Sequence, residues 1–450
     1  MKEEQKGINK FDTLIIGGGI AGQESALNLA NMGYKILMIE KDLSIGGKMI
    51  QLSKVFPTLD CAACITTPKM SETARHSNIT LMLNTDINAI IKQKDYFEIE
   101  ITENPRYVNA ELCTGCQECE FVCPQIKQDQ YNHNMVGSKA VYIPFNLANP
   151  RIATIDIENC INCRLCEKTC SANAIDFSDQ KKENSYFAKS VIISSGYKLF
   201  KAENKPQYGF SKYPNIIDSM QMDRLIAPTR PYNNILRPGD GKIPDNIAYV
   251  LCTGSRDSSL ANNKNCGADC ANNPLCSQVC CMYSIKQAQL LMGALPMADV
   301  TIYYMDIRAF GKAYEEFYQQ TKSMGVEFIK AKIAKISEKT KNGDLILRYE
   351  DVEKGIVKEA KHDMVVLSVG ILPNTGLSEL FKNEKLELDN YNYIKQIDEL
   401  VSPSKTTVEG VYVAGTASGP MDIPDSILSA GAAASEVASF LVKENNHSIN

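Results

Sequence analysis

The chain has 450 residues, 44% hydrophobic and 22% charged, with a formal net charge of −5. That is more than one domain's worth of ordinary globular sequence. It carries no long basic run for nucleic acid or an anionic membrane, no apolar run that reads as a membrane span, and a start (Met1-Lys-Glu-Glu-Gln-Lys) too polar for a signal peptide.

Asp12–Ile16 reads as a buried strand, followed at once by Gly17-Gly18-Gly19-Ile20-Ala21-Gly22 and a helix from Ala21 to about Met32. A second strand, Lys35–Ile39, ends in Glu40. This is the dinucleotide fingerprint in its strand–turn–helix context: Gly17 for the tight turn, Gly19 for approach of the pyrophosphate, Gly22 for close packing, Glu40 for the ribose hydroxyls. Gly46-Gly47-Lys48 follows, a glycine pair common where a chain passes a flavin, and it favours FAD over NAD. Lys41, Gly47 and Lys48 join the expected cofactor lining.

Cys61-Ala-Ala-Cys64 is a C-x-x-C that reads equally as a redox dithiol or half a metal site, and as two structural thiols. Helix is expected near 68–76 and strands at 79–83, 86–92 and 96–101, as a small antiparallel piece. Then comes Cys113-x-x-Cys116-x-x-Cys119-x-x-x-Cys123-Pro124, and, after a long spacer, Cys160-x-x-Cys163-x-x-Cys166-x-x-x-Cys170-Ser171. Each run has the spacing of a cubane 4Fe–4S site, in which three thiolates hold one cluster and the fourth crosses to the other. Cys113, Cys116, Cys119 and Cys170 are expected on one cluster, and Cys160, Cys163, Cys166 and Cys123 on the second. Zinc prefers two C-x-x-C pairs with a longer gap, and disulfides do not explain the repeated run. Sixteen cysteines in a chain of this size point to metal thiolates in a reducing cytoplasm. Only four histidines occur, with no ligand-like pair. The spacer stretches Lys139–Pro144 and Arg151–Asp156 read as short strands covering the clusters.

Ala188–Ile193 is a strand ending in Ser194-Ser195-Gly196, where the interrupted nucleotide domain resumes. Asn246–Leu251 opens a second nucleotide-type half, but Cys252-Thr253-Gly254-Ser255-Arg256 stands where a second glycine loop belongs. Cys276-Ser-Gln-Val-Cys280-Cys281 then opens a helix through Lys286 to about Leu295, followed by a strand Val300–Tyr304 and a helix at 312–324. These thiols read as a third cluster or as buried thiols, with Cys266 and Cys270 undecided between them. Met364–Val369 and Gly410–Ala414 are strands read as a return to the flavin, the second closed by Gly415-Thr416. Flavin reductases usually place Gly-Asp there. A helix over about 425–443 follows Ile423-Pro424, with its N-terminus toward the flavin ring.

Together these stretches resemble the A subunit of heterodisulfide reductase, in a shortened form. The resemblance rests on Pro57-Thr-Leu-Asp-Cys61, the inserted cysteine runs, Cys252-x-Gly-Ser-Arg256, Cys276 with Val279-Cys-Cys-Met-Tyr283, Asp306-Ile-Arg308, and Val413-Ala-Gly-Thr416 with Asp422-Ile-Pro-Asp-Ser426. It implies an α/β, two-dinucleotide-binding-domain flavoprotein of thioredoxin-reductase-like fold, carrying an inserted two-cluster ferredoxin domain (α+β) and no NAD site. It further implies Cys252, Cys276, Cys280 and Cys281 as ligands of a third 4Fe–4S cluster, and Lys286 at flavin N5; from sequence alone Lys286 reads as a solvated helix residue. The expected divisions are 11–104, 179–245 and 361–443 for the FAD domain, 105–178 for the ferredoxin domain, 246–360 for the degenerate NAD-type domain, and a loose tail from 444.

The function expected is that of a cytoplasmic FAD and iron–sulfur electron-transfer subunit, joining two-electron and one-electron transfers, with flavin-based electron bifurcation as its finer form. Its expected partners are other heterodisulfide-reductase-like subunits and a ferredoxin or hydrogenase-type donor or acceptor, with a homodimer inside the larger complex. Two other classes stay open: a self-sufficient NAD(P)H flavin oxidoreductase, which the lost second glycine loop disfavours, and a non-catalytic electron-carrier scaffold.

Overall fold

The computed structural model describes residues 9–259, 273–338 and 343–447. The chain divides into two compact units, one made of the residues up to Ile50, Ile65–Tyr197 and the residues from Pro373, the other of Gln51–Cys64 and Lys198–Leu372. Cys266 and Cys270 lie outside the described residues.

The first unit is built on a largely parallel sheet. Lys10–Ile16 lies between Ile36–Ile39 and Lys182–Ile193, and these pair in parallel with Ile79–Met82 and Val411–Val413 in turn. Ile36–Ile39 is wholly buried, as expected of a central parallel strand covered on both faces. Thr85–Lys92 and Phe97–Glu103 form the antiparallel piece, whereas Ile79–Met82 joins the parallel sheet. Lys182–Ile193 is twice as long as the expected strand. Its polar front half, Lys182-Glu-Asn-Ser, pairs antiparallel with Phe97–Glu103 and carries no apolar signal.

Two helices differ from their expected bounds. The helix Ala62–Arg75 starts six residues early and runs through Pro68. The C-terminal helix is Ile423–His447, so residues 444–447 continue it where a loose tail was expected, and residues 448–450 lie outside the described residues. Its stretch Ile423–Glu444 is long and apolar enough to cross a membrane by length and composition, which corrects the sequence reading. One face, with Ala430, Ala433, Ala434, Val437 and Leu441, is buried, and Ser25 of the helix Ile20–Asn31 donates to the Ala430 carbonyl. One-sided burial with a polar contact is the pattern of a core helix.

Residues 105–178 form a small body within this unit with a core of its own, including Val108, Val141, Ile143, Ile152, Ile155 and Ile175. Val141–Tyr142 pairs with Thr154–Ile155, within the two spacer stretches read as strands, and Ile126–Gln128 pairs with Gly137–Lys139. Short helices Glu118–Val122 and Leu165–Thr169 follow corresponding positions of the two cysteine runs.

The second unit has a seven-stranded sheet in the order Ile216–Asp218, Met364–Val369, Asn246–Thr253, Asp299–Tyr304, Glu327–Glu338, Leu345–Asp351, Ile356–His362. The first five are parallel and the last two antiparallel. Helices Cys280–Ala294 and Tyr314–Ser323 belong to it. Met364–Val369, expected among the flavin strands of 361–443, pairs here with Asn246–Thr253, and Ile216–Asp218, expected in 179–245, pairs with Met364–Val369. A strand buried on both faces has the same apolar pattern in either parallel sheet, so the pattern does not name its partner.

Candidate functional site

The first turn of the first unit has the geometry of a phosphate-binding loop. Gly17 takes a left-handed φ of +106°, and a Cβ there would lie 2.5 Å from the Ser194 carbonyl oxygen. A Cβ on Gly22 would collide with the Gly17 carbonyl oxygen, so helix and turn touch only because both residues are glycine. The Cβ side of Gly19, at the helix start, faces open space. Glu40 is buried and accepts hydrogen bonds from the backbone N–H groups of Gly18 (2.6 Å) and Asp42 (2.9 Å). Burial raises its pKa, helped by Asp42, while those two N–H groups pull the other way. Lys41 beside it is exposed.

The Gly46–Gly47 loop folds back over this turn, with Gly46 N–H on the Gly18 carbonyl at 2.9 Å. Lys48 lies over the Tyr197 ring, and burial lowers its pKa. Ser195 Oγ, next to Gly196, is buried without a hydrogen-bond partner. Gly415, also left-handed at φ +65°, donates to Ser429 Oγ, and Thr416 is buried beside it. Ile423 and Pro424 open the last helix, and the Asp422 carboxylate accepts the Asp425 N–H at 3.0 Å. An open glycine turn and an unpartnered buried hydroxyl fit a bound dinucleotide.

The body at 105–178 brings the two cysteine runs together. One cavity, about 370 Å³ with its open side, is lined by Cys113, Cys116, Cys119 and Cys170. A second, about 320 Å³, is lined by Cys123, Cys160, Cys163 and Cys166. Three thiols of one run and the fourth of the other thus surround each space. Among the described residues no three Cys, His, Asp or Glu side chains gather as they do around a single ion. Thiols spread around a cavity suit a polynuclear group. Burial pushes Cys119 up to about 12 and raises Cys166.

This body is bonded to the stretch from Leu43 to Ile50. Arg106 donates to the Leu43 carbonyl at 2.8 Å, Asn149 N–H donates to Ser44 Oγ at 2.9 Å, and Tyr131 OH donates to the Ile50 carbonyl at 3.1 Å. Arg106 also feels the charge of Cys113, although burial, the larger effect, lowers its pKa.

In the second unit Cys252 is the penultimate residue of the strand Asn246–Thr253, in a left-handed conformation, φ +57°. Cys280 and Cys281 open the helix Cys280–Ala294, and Cys276 precedes it. Paired backbone bonds between Asp257 and Asn273 hold the two segments together, as does Arg256 N–H on the Leu275 carbonyl. Burial first, then mutual repulsion of these sulfurs, pushes Cys252 up to about 12 and Cys281 to about 11, and raises Cys280 well above the ordinary thiol value. Arg256, ion-paired with Asp306, supplies positive charge beside Cys252 and Cys276.

Lys286, on the same helix, is not a solvated residue. It is 1% exposed and bonded to Asp223 (2.6 Å) and Ser53 Oγ (3.2 Å). Gln287 Nε2 donates to the other Asp223 oxygen at 2.7 Å. Asp223, Ser53 and Arg106 gave no sequence signal, because none belongs to a spaced motif; Ser195 has only its place in the turn Ser194-Ser195-Gly196.

Such a fold, with two parallel nucleotide-type sheets and a glycine turn fit for FAD, defines a flavoprotein oxidoreductase. The chain belongs to the pyridine nucleotide-disulphide oxidoreductase family, whose model matches residues 11–142 and 276–434. Solved relatives agree in fold: thioredoxin reductases of T. acidophilum (TM-score 0.53, 16% identity) and Lactococcus lactis (0.52, 14%) each match 96% of this chain and 99% of theirs. Among curated relatives, the A subunit of the H(2):CoB-CoM heterodisulfide,ferredoxin reductase of Methanothermobacter marburgensis is 40% identical over 96% of this chain. The iron-sulfur A subunit of the CoB--CoM heterodisulfide reductase of Methanocaldococcus jannaschii is 40% identical over 94%. The A subunit of the ferredoxin:CoB-CoM heterodisulfide reductase of Methanosarcina mazei is 38% identical over 96%. The chain spans 64%, 63% and 53% of their respective lengths.

Proposed function

We propose that the chain is the FAD and iron–sulfur electron-transfer subunit of a heterodisulfide-reductase-like complex. The observation that carries this reading is the crossed arrangement of eight cysteines around two cavities, bonded to the loop beside the glycine turn. Residues 105–178 act as the inserted two-cluster ferredoxin domain. Gly17, Gly19, Gly22, Glu40, Lys41, Gly47, Lys48, Gly196, Gly415, Thr416, Ile423 and Pro424 line the FAD site. Cys252, Cys276, Cys280 and Cys281 hold a third 4Fe–4S cluster.

When bound, FAD exchanges electrons in pairs or singly and the cubane clusters exchange them one at a time. The chain's own residues set the conditions. The glycine turn would present backbone N–H groups to the pyrophosphate, and the thiols around each cavity would hold iron as thiolates. Arg106 places positive charge between the Cys113 side and the Leu43–Gly47 loop, favouring electron entry there. Lys286, buried and bonded to Asp223 and Ser53, is the residue that the family resemblance assigns to the flavin, and in that role its charge would favour the reduced form.

The relatives' names mention ferredoxin, and a ferredoxin or hydrogenase-type protein is the proposed exchange partner, with further subunits completing a complex that contains a homodimer of this chain. Electron bifurcation is the finer form of this proposal. An anaerobic count of flavin, iron and sulfide, with stopped-flow mixing against NADH, tests the reading. One FAD, about twelve iron atoms and no flavin bleaching by NADH are expected. Bleaching by NADH would instead make the chain a self-sufficient reductase.

A further inference from the structure

The second unit keeps the plan of a nucleotide-binding half. Its strand Asp299–Tyr304 pairs in parallel with Asn246–Thr253, as Ile36–Ile39 does with Lys10–Ile16 in the first unit. In the first unit the acid that follows the second strand, Glu40, accepts the turn N–H of Gly18. In the second unit the corresponding acid is Asp306, just beyond Tyr304, and it bonds a turn side chain instead. Its carboxylate is ion-paired with the Arg256 guanidinium, and Arg308 Nε lies 3.8 Å from the same oxygen. The acid position that takes a ribose in a dinucleotide site is thus occupied by an arginine.

The pair sits against the sulfurs. Cys281 Sγ lies 3.8 Å from the Asp306 carbonyl oxygen, and the Arg308 N–H also bonds Cys281. Arg256 is left-handed at φ +57°, and its N–H is fixed on the carbonyl of Leu275, the neighbour of Cys276, at 2.8 Å. A left-handed arginine is uncommon and marks a position set by its surroundings. Burial lowers the Arg256 pKa, but Asp306 and then the Cys252 and Cys276 sulfurs outweigh it and raise the value. Against the larger effect of burial, Arg256 lowers Cys252 and Cys281, while Asp306 raises both. The two side chains are 27% and 45% exposed, so solvent screens each charge without removing it. Lys205, bonded to Ser259 just beyond this turn, is ion-paired with Asp257 and adds no net charge.

We propose, resting on the third-cluster reading above, that Arg256 sets the reduction potential of the group held by Cys252, Cys276, Cys280 and Cys281, and that Asp306 is the positioning residue that holds this charge in check. A cubane cluster on four thiolates gains one negative charge when it takes one electron, and no bond forms or breaks. A fixed positive charge beside the sulfurs favours the reduced state, and a fixed negative charge opposes it. Arg256 therefore makes the site easier to reduce. Asp306 cancels part of that charge while keeping the guanidinium beside the turn. Removing one or the other must shift the potential in opposite directions. An ion pair that only tied the turn to the chain after Tyr304 would instead loosen the site whichever partner was lost.

The test is a dye-mediated redox titration of the full chain, purified anaerobically and followed by low-temperature EPR, with iron and flavin counted in each variant. The second-unit signal is identified as the one lost in Cys280→Ser. Arg256→Met is expected to lower its midpoint by about tenfold in the reduction constant, which is about 59 mV for one electron. Asp306→Asn is expected to raise it by about threefold, and Arg256→Lys, which keeps the charge, to stay within about twofold of the parent. All three variants should keep the parent's iron and flavin content. The proposal is overturned if Arg256→Met leaves the midpoint unchanged, if Arg256→Met and Asp306→Asn shift it the same way, or if Arg256→Lys falls as far as Arg256→Met. Loss of iron in Arg256→Lys or Asp306→Asn also overturns it, by making the pair a structural tie. An unmodified chain with only about eight iron atoms and no second-unit signal would end the third-cluster reading and this inference with it. A signal present in the parent and unmoved by Arg256→Met would end this inference alone.

Discussion

The two strand–turn–helix units of this protein start alike and diverge at the turn. Lys10–Ile16 and Asn246–Thr253 are both buried parallel strands. The first passes within three residues into its helix, Ile20–Asn31, through glycines that leave the helix start open. The second reaches its helix, Cys280–Ala294, only after a long excursion, and thiols occupy the strand end and helix start. One parallel framework can present backbone donors to a phosphate or sulfurs to iron. What decides is whether the turn keeps its glycines.

The sharpest way to break that contrast is at the first turn. Gly22→Val puts a side chain into the Gly17 carbonyl and is expected to abolish FAD retention, read as loss of the flavin absorbance in soluble protein. The thiol sites come next. Cys123→Ser and Cys170→Ser should each remove about four of about twelve iron atoms, from different clusters, and Cys280→Ser should remove a further set from the second unit. If Cys123→Ser and Cys113→Ser deplete the same EPR signal, the crossed pairing is wrong.

Lys286 tests how the second unit supports its helix. Lys286→Ala leaves Asp223 buried and unpaired, and should cost about 3–5 kcal/mol in urea unfolding while shifting the flavin potentials. Unchanged potentials would remove its proposed role toward the flavin. Replacing both partners, Lys286→Met with Asp223→Leu, should recover much of the stability but not the potentials.

His362 supplies a pH test confined to the second unit. It is buried, with Tyr303 OH at 2.9 Å from Nε2 and Asn246 Oδ1 at 2.5 Å from Nδ1, and burial lowers its pKa to about 4. The unfolded chain, with an ordinary histidine pKa near 6.5, binds the proton first as pH falls. Stability is therefore full above about pH 6.5 and declines toward pH 4, by about 3 kcal/mol. His362→Gln should flatten that decline in denaturant midpoints. The smallest effect is expected at Arg106→Met, which should lower the potential of the cluster on the Cys113 side by roughly 50 mV.

Much of this was legible in the sequence because the chemistry sits in short spacings. The run Cys113 to Cys123 and the run Gly17 to Gly22 fix their own local geometry. The pairing of Met364–Val369 was not legible, because a fully apolar strand suits either sheet. The polar half of Lys182–Ile193 carried no periodic signal. Lys286 looked solvated because a helix pattern records one face, whereas its partners Asp223 and Ser53 come from distant segments. Tertiary convergence of this kind leaves no spacing to read. The Cys61–Cys64 pair was visible as a motif, but only the folded loop joins the sulfurs and exposes one of them.

The central claim is that one chain joins a flavin to three clusters. An anaerobic flavin, iron and sulfide count followed by redox-monitored EPR of the purified chain tests it most directly. The account predicts one FAD, about twelve iron atoms, and cluster signals of which one interacts magnetically with the flavin. One FAD with only about eight iron atoms would mean that Cys252, Cys276, Cys280 and Cys281 hold no cluster, and would contradict the account at the second unit.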